Sequence, residues 1–229
     1  MSRLVDLHVH TRLGSLDSSI DPALLSEHAR RAGLSAIAVT EHYRQWTPWE
    51  IERWSVAGIR IYPAAEVATD LGHVLAFGFP GFPSARTAAE LAEEARHCGG
   101  ALILAHPFRG YFDSPHHWLS DQQGDIAEAL ECAARRSAGI VHGVEVLNNG
   151  CTEEENRLAE RLRQLIGCHG VAGSDAHLAA HVGRHATAFA VLPRDTRELA
   201  GMLRTDRDNS PKTLKVVTQP GCERRPGAA

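Results

Sequence analysis

The feature that most limits how this chain folds is a recurrence. Short apolar runs of strand length alternate with helical patterns, and nearly every run delivers a histidine or carboxylate at or near its C-terminal end. The first run, Leu4 to His10, closes on Asp6-Leu7-His8-Val9-His10. The second, Ala36 to Thr40, leads into Glu41-His42. Ile59 to Val67 carries Glu66, and His73 opens the run at Val74 to Phe79. Ala101 to Ala105 is followed by His106-Pro107. Gly143 to Leu147 holds Glu145 and is followed by Asn148 and Asn149. Gly170 to Gly173 leads into Ser174-Asp175-Ala176-His177, and Thr187 to Leu192 supplies a last strand.

The helices between these runs announce themselves by their ends. Asp21 followed by Pro22 is an N-cap with proline at the first helical position, and Gly33 closes that helix. Thr87 with Glu90, and Thr152 with Glu155, are capping boxes. The first of these helices ends near Gly99, and the second is expected to bury Leu158, Leu162, Leu165 and Ile166. A final helix starts at Asp195. Alternating strands and helices predict an α/β fold with a parallel sheet and helices outside, closed into a barrel or near-barrel. The 229 residues suffice for one domain with a full core.

In a barrel of this kind the C-terminal strand ends converge on one face, where active sites are built. Residues two apart in a strand share a side, so His8 and His10 face one site, as do Asp175 and His177 if the strand runs through them. Imidazole nitrogens with carboxylate oxygens suit Zn²⁺, Mn²⁺ or Fe²⁺. One histidine among the 14 is weak evidence; four histidine motifs at successive strand ends predict a metal centre. Glu66 is placed to bridge two ions.

Composition narrows the alternatives. The net charge is -4 with no long run of one sign, which disfavours long nucleic acid as a partner. Asp6, His8 and His10 interrupt any apolar leader, and no run is long enough to span a membrane, so a cytoplasmic protein is expected. Cys98, Cys132, Cys151, Cys168 and Cys222 form no CxxC pair and read as reduced thiols.

The motifs DLHVHT at 6–11, TEH at 40–42, GH at 72–73, AHP at 105–107, GVEVLN at 143–148 and GSDAH at 173–177, with Glu66, together resemble the PHP (polymerase and histidinol phosphatase) superfamily. The resemblance spans almost the whole chain. It implies a distorted (β/α)7 barrel over residues 1–208, followed by a partly disordered tail at 209–229. It also implies two or three divalent metals. His8, His10, Glu66 and Asp175 would hold the first. Glu66 would bridge to a second with His73 and His106. His42 and His177 would hold a third with Asp17. Two departures stand out: Gly-Ser-Leu-Asp-Ser replaces the usual Ser-Asp-Gly loop around Asp17, and Glu41 replaces an aspartate.

The implied activity is a phosphoesterase that cleaves a small phosphorylated metabolite or nucleotide through a metal-activated hydroxide. An exonuclease on short oligonucleotides and a structural or regulatory module are the competing readings. Asp175 and His177 are the expected catalytic groups. Arg109, Arg184 and Asn148 are the candidate substrate contacts, arginine because its fork grips phosphate. Asp6, Glu41 and Glu145 are expected to orient ligands. Tyr43, Trp46 and Trp49 form either a stacking wall or packing under a loop. His116, His117 and Trp118 read as a surface loop, and His28, His97 and His169 as surface histidines.

Overall fold

The computed structural model describes residues 3–205 and the strand Leu214–Thr218. Nine strands form one sheet in the order β7-β6-β5-β4-β3-β2-β1-β8-β9. They are β1 (Arg3–Val9), β2 (Ala36–Glu41), β3 (Arg60–Thr69), β4 (Gly72–Phe77), β5 (Ala101–Leu104), β6 (Gly143–Asn148), β7 (His169–Gly173), β8 (His185–Phe189) and β9 (Leu214–Thr218). β1 to β7 stand side by side in chain order. Beyond the end of β7, Ala176 bridges to Val9, and its carbonyl accepts from the His10 N–H at 3.0 Å, so the sheet curls into a nearly closed barrel. β8 lies antiparallel to β1, and β9 antiparallel to β8.

The expectation of a parallel sheet is corrected at β8 and β9, and also within the barrel at β4. β4 runs antiparallel to both β3 and β5. The turn Asp70-Leu71-Gly72 is too short for a crossover, and Gly72 takes the φ of 78° that its reversal requires. The reversal brings the start of β4, where His73 sits, to the rim where its neighbours end.

Among the described residues six α-helices run outside or beneath the sheet: α1 (Pro22–Arg31), α2 (Pro48–Trp54), α3 (Ala88–Cys98), α4 (Ile126–Ser137), α5 (Glu153–Ile166) and α6 (Thr196–Thr205). The caps act as the sequence implies. Thr87 and Thr152 each close a complete capping box, and Gly99 and Gly167 end their helices in the left-handed region. Two helices were not anticipated: α2, capped by a Thr47–Glu50 box, and α4, capped by Asp125. α3, α4 and α5 cover one flank with Leu91, Leu130, Leu158 and Leu162. Leu25 and Ala29 of α1 cover another with Ile37 and Val39. Leu199, Ala200 and Leu203 of α6 pack with Tyr62, Phe77 and Phe189.

Leu165, expected on the buried face of α5, is 59% exposed; Ala159 takes its place inside. Strand β9 falls within the segment read as a tail, and the remaining tail residues lie outside the described ones. No helix among the described residues is long and apolar enough to cross a membrane.

The two α5 leucines give a direct test of which face is inside. Leu162→Ala, at a fully buried site, should lower unfolding free energy by about 2–5 kcal/mol in a denaturant titration. Leu165→Ala should change it by less than about 0.5 kcal/mol.

Candidate metal centre

The rim gathers side chains from every strand of β1 to β7. Four groups of metal-capable donors form there: His8, His10, Glu66 and Asp175; Glu66, His73 and His106; His10, His42 and His177; and His8, His106 and Glu145. Within each group the donor atoms lie within 4.8 Å of one another.

In the first group, Glu66 Oε2 lies 3.1 Å from the Nε2 of both His8 and His10. Asp175 Oδ1 lies 3.4 Å from His8 Nε2 and 3.2 Å from His10 Nε2. All four atoms are buried and have no hydrogen-bond partner in the protein. The outer face of each ring explains why. His8 Nδ1 faces the Glu145 carboxylate at 3.1 and 3.3 Å and must donate to it. Ser15 Oγ donates to Glu41 Oε2 at 2.6 Å, so it accepts from His10 Nδ1 at 3.0 Å. In the neutral rings both Nε2 atoms then carry lone pairs, aimed at carboxylate oxygens. Acceptors facing acceptors in a buried site need a cation or a proton between them. The donor set fits divalent metal ions.

The second group continues from the other Glu66 oxygen, with Oε1 2.7 Å from His73 Nδ1 and 3.0 Å from His106 Nε2. In the third, the rings of His42 and His177 stack on His10 at centroid distances of 4.5 and 4.4 Å. His177 Nδ1 donates to the Asp175 backbone carbonyl at 3.0 Å, which leaves Nε2 free and 3.2 Å from Asp17 Oδ2. Asp17 is well exposed and reaches His42 Nε2 only at 3.8 Å. In the fourth group Glu145 is already spent. It accepts from His8, from the His106 N–H at 3.0 Å and from Asn148 Nδ2 at 3.0 Å.

Electrostatics agree with this geometry. Burial opposes charge on His8, but Asp175, Glu66 and Glu145 outweigh it and lift its pKa well above 6.5. The same contest raises His10 to about 9. Burial would raise Glu66 and Asp175, yet the surrounding histidines hold both well below their usual values. His42 is pushed down to about 4, chiefly by burial, so its ring is neutral and able to donate a lone pair. Among the described residues only His106 (φ 28°) and Asp175 (φ 50°) are non-glycine with positive φ, and both are in the cluster. Such backbone strain concentrates at functional sites.

The residues expected to orient ligands reach the cluster by different routes. Glu145 holds His8 directly. Glu41 acts through Ser15, and is itself held by Thr11 and by Trp46 Nε1 at 3.0 Å. Asp6, fully buried and raised by that burial to about 6, holds backbone instead: the N–H groups of His8, Ser174 and Gly183, and the Ser174 hydroxyl. Ser15, Thr11 and Ser174 were not singled out in the sequence. Glu155 is another omission; it accepts from the Gly110 N–H at 2.5 Å and so fixes the segment after Arg109.

The candidate substrate contacts fare unequally. Arg109 is at the centre, paired with Asp175 Oδ2. Arg184 donates to Asn149 Oδ1 and to the Ala180 carbonyl. Asn148 is fully buried, and its amide is used by Glu145 and the Gly150 N–H, so it supports Glu145. The aromatic group divides: Trp46 is buried, while Tyr43 and Trp49 are exposed, with Arg53 over Trp49. His117 and Trp118 both donate to the Pro107 carbonyl, which pins their loop beside His106.

Comparison with known proteins places this architecture. A family model described as PHP-associated matches residues 153–208. A two-domain protein from Bacteroides vulgatus, containing a predicted PHP-like metal-dependent phosphoesterase, superposes with a TM-score of 0.63. It is 19% identical over 96% of this chain and 65% of its own. The chain shares that protein's fold. An amidohydrolase from Chromobacterium violaceum, with bound sulfate and no metal, superposes at a TM-score of 0.59, 13% identity, and 90% and 98% coverage of the two chains. The lesion-specific endonuclease PfuEndoQ from Pyrococcus furiosus gives 0.59 at 18% identity, covering 94% of this chain and 58% of its own. No curated protein matches the sequence.

Two outcomes are expected of this centre. A β-carbon on Gly173 would sit 2.4 Å from His8 Cβ and 2.6 Å from Glu145 Oε1, so Gly173→Ala should displace His8 and lower manganese binding measured by calorimetry. The second concerns pH. His10 holds its proton up to about pH 9 in the metal-free protein, so its contribution is complete below its unfolded pKa near 6.5 and is lost as pH rises through 9. Metal must displace that proton. Thermal shifts should therefore show metal-free stability falling between pH 6.5 and 9, and the stabilisation by added manganese growing across the same range.

Proposed function

We propose that the chain is a metal-dependent phosphoesterase that hydrolyses a small phosphate ester. The observation that carries this reading is the convergence of buried lone pairs from His8, His10, Glu66 and Asp175 with no protein partner. Such a cluster is costly to fold without ions and suits hydrolysis with them. The fold relationship to PHP-like phosphoesterases, and the bound sulfate of the Chromobacterium protein, support phosphate as the group engaged.

In this reading His8, His10, Glu66 and Asp175 hold one ion, Glu66 with His73 and His106 a second, and His42 and His177 with Asp17 a third. Zinc, manganese or iron suit the mixed nitrogen and oxygen donors. When bound, such ions supply positive charge for the phosphate oxygens and acidify water. The protein's own groups do the rest. Glu145 and Ser15 fix the tautomers of His8 and His10. Arg109 offers its remaining N–H groups to a phosphate while one is held by Asp175. His177 has Nδ1 fixed on a carbonyl, so Nε2 serves the third ion, and only with that position empty would it pass a proton there. Arg184 is held by Asn149 and would meet the substrate only after leaving it.

The test combines metal analysis with turnover. Protein purified without chelator should carry two or more divalent ions per chain and release phosphate from simple esters. His8→Ala and Asp175→Ala should lose both properties. Ser15→Ala, which removes only the link between Glu41 and His10, should lower activity or metal affinity by about 10–100-fold. Full metal loading without phosphate release from any ester would overturn the reading.

A further inference from the structure

We infer that the substrate's organic group is an apolar or aromatic ring seated on Leu16, Tyr43 and Leu178; the inference rests on the phosphoesterase reading above. Each of the three is one residue from a group at the rim: Leu16 precedes Asp17, Tyr43 follows His42, and Leu178 follows His177. They are 90%, 69% and 46% exposed, against buried neighbours such as His10 and Ser15. A single exposed apolar side chain is ordinary. Three around one side of a polar cluster are an unfilled apolar lining of the kind that surrounds the few polar groups of a ligand site.

Hydrogen bonds hold the three segments together. The Tyr43 N–H donates to the Gly14 carbonyl at 3.2 Å. The Ser19 N–H and the Ser18 hydroxyl donate to the His177 carbonyl at 3.0 and 3.4 Å. The Tyr43 ring centroid is 6.0 Å from that of His42, which is 6.1 Å from that of His177. The lining thus adjoins the third donor group.

Charge separates a ring from the other occupants. Residues 11–20 and 42–49 contain two cationic side chains, Arg12 and Arg44. Arg12 is paired with Asp21 at 2.5 Å, and Arg44 with both Glu50 oxygens at 2.6 and 2.7 Å. Each is partly neutralised by its carboxylate, Arg184 beyond Leu178 is held by the Ala180 carbonyl and Asn149, and exposed Asp17 repels a second phosphate or a nucleic-acid backbone. A polyol offers no apolar surface to cover leucine and tyrosine. A ring does, by stacking on Tyr43 and displacing water from the leucines.

The experiment compares 2-phenylethyl phosphate with glycerol 1-phosphate, two alkyl esters with similar leaving groups, on the manganese-loaded full chain. KM for the phenylethyl ester should be about tenfold lower. Tyr43→Ala should erase that difference with bound manganese per chain unchanged, and Tyr43→Phe should keep it. Equal KM values for the two esters, or a preference that survives Tyr43→Ala, would overturn the ring seat and leave the phosphoesterase reading intact. Absence of phosphate release from both esters by metal-loaded protein would overturn that reading, and the ring seat with it.

Discussion

The structure depends on a conflict of charge. Glu66 and Asp175 present carboxylate oxygens to the Nε2 atoms of His8 and His10 inside a barrel that gives them no other partner. Left to themselves these groups capture protons, which is why His10 is lifted to about 9 despite being buried. An arrangement that costs this much desolvation persists only if the surroundings hold it in place. Much of the rim does so. Glu145 ties β6 to His8 and to the strained backbone of His106. Glu41 ties Thr11, Ser15 and Trp46 into one network behind His10. Asp6 fastens the start of the Ser174 loop to β1.

The distorted strand order serves the same end. A strictly parallel barrel would carry Glu66 at one end of a strand and a helix before the next. Reversing β4 immediately after β3 places Ala68 opposite His73, so that the histidine returns to the Glu66 carboxylate within seven residues. A single carboxylate can then face His8, His10 and His42 with one oxygen and His73 and His106 with the other. Bridging of this sort needs the two strands to be adjacent and antiparallel, and a three-residue turn with Gly72 is the shortest way to provide it.

Much of this was legible in the chain because strand ends and helix caps are local signals. His-x-His after an apolar run, Ser-Asp-Ala-His after another, and Thr-x-x-Glu before a helix all declare themselves within a few residues. What was missed is non-local or has an ordinary appearance. Ser15 is one of several serines in its loop, and nothing near it reveals that Glu41 and His10 both reach its hydroxyl. Glu155 looks like a helix cap, and is one, while its other oxygen holds Gly110 from a distant loop. Asn148 reads as a substrate contact because it ends a strand, but it is fully buried beside Glu145. Helix α2 is only seven residues long, too short for periodicity to show, and β9 pairs in a stretch whose composition reads as tail.

Fold likeness alone does not choose among the chemistries of these relatives, since a phosphoesterase, an amidohydrolase and an endonuclease share the barrel. The choice has to come from what surrounds the donors, and here the surroundings are asymmetric. On one side Arg109 lies against Asp175, with its backbone segment clamped by Glu155. On the other the cations are neutralised by their own neighbours, and the exposed surface is leucine and tyrosine. A ligand with its charge at one end and an apolar body at the other matches both halves at once. A uniformly charged polymer would match only the first, and its next phosphate would lie against Asp17, where repulsion is added to the cost of stripping water from a second charge.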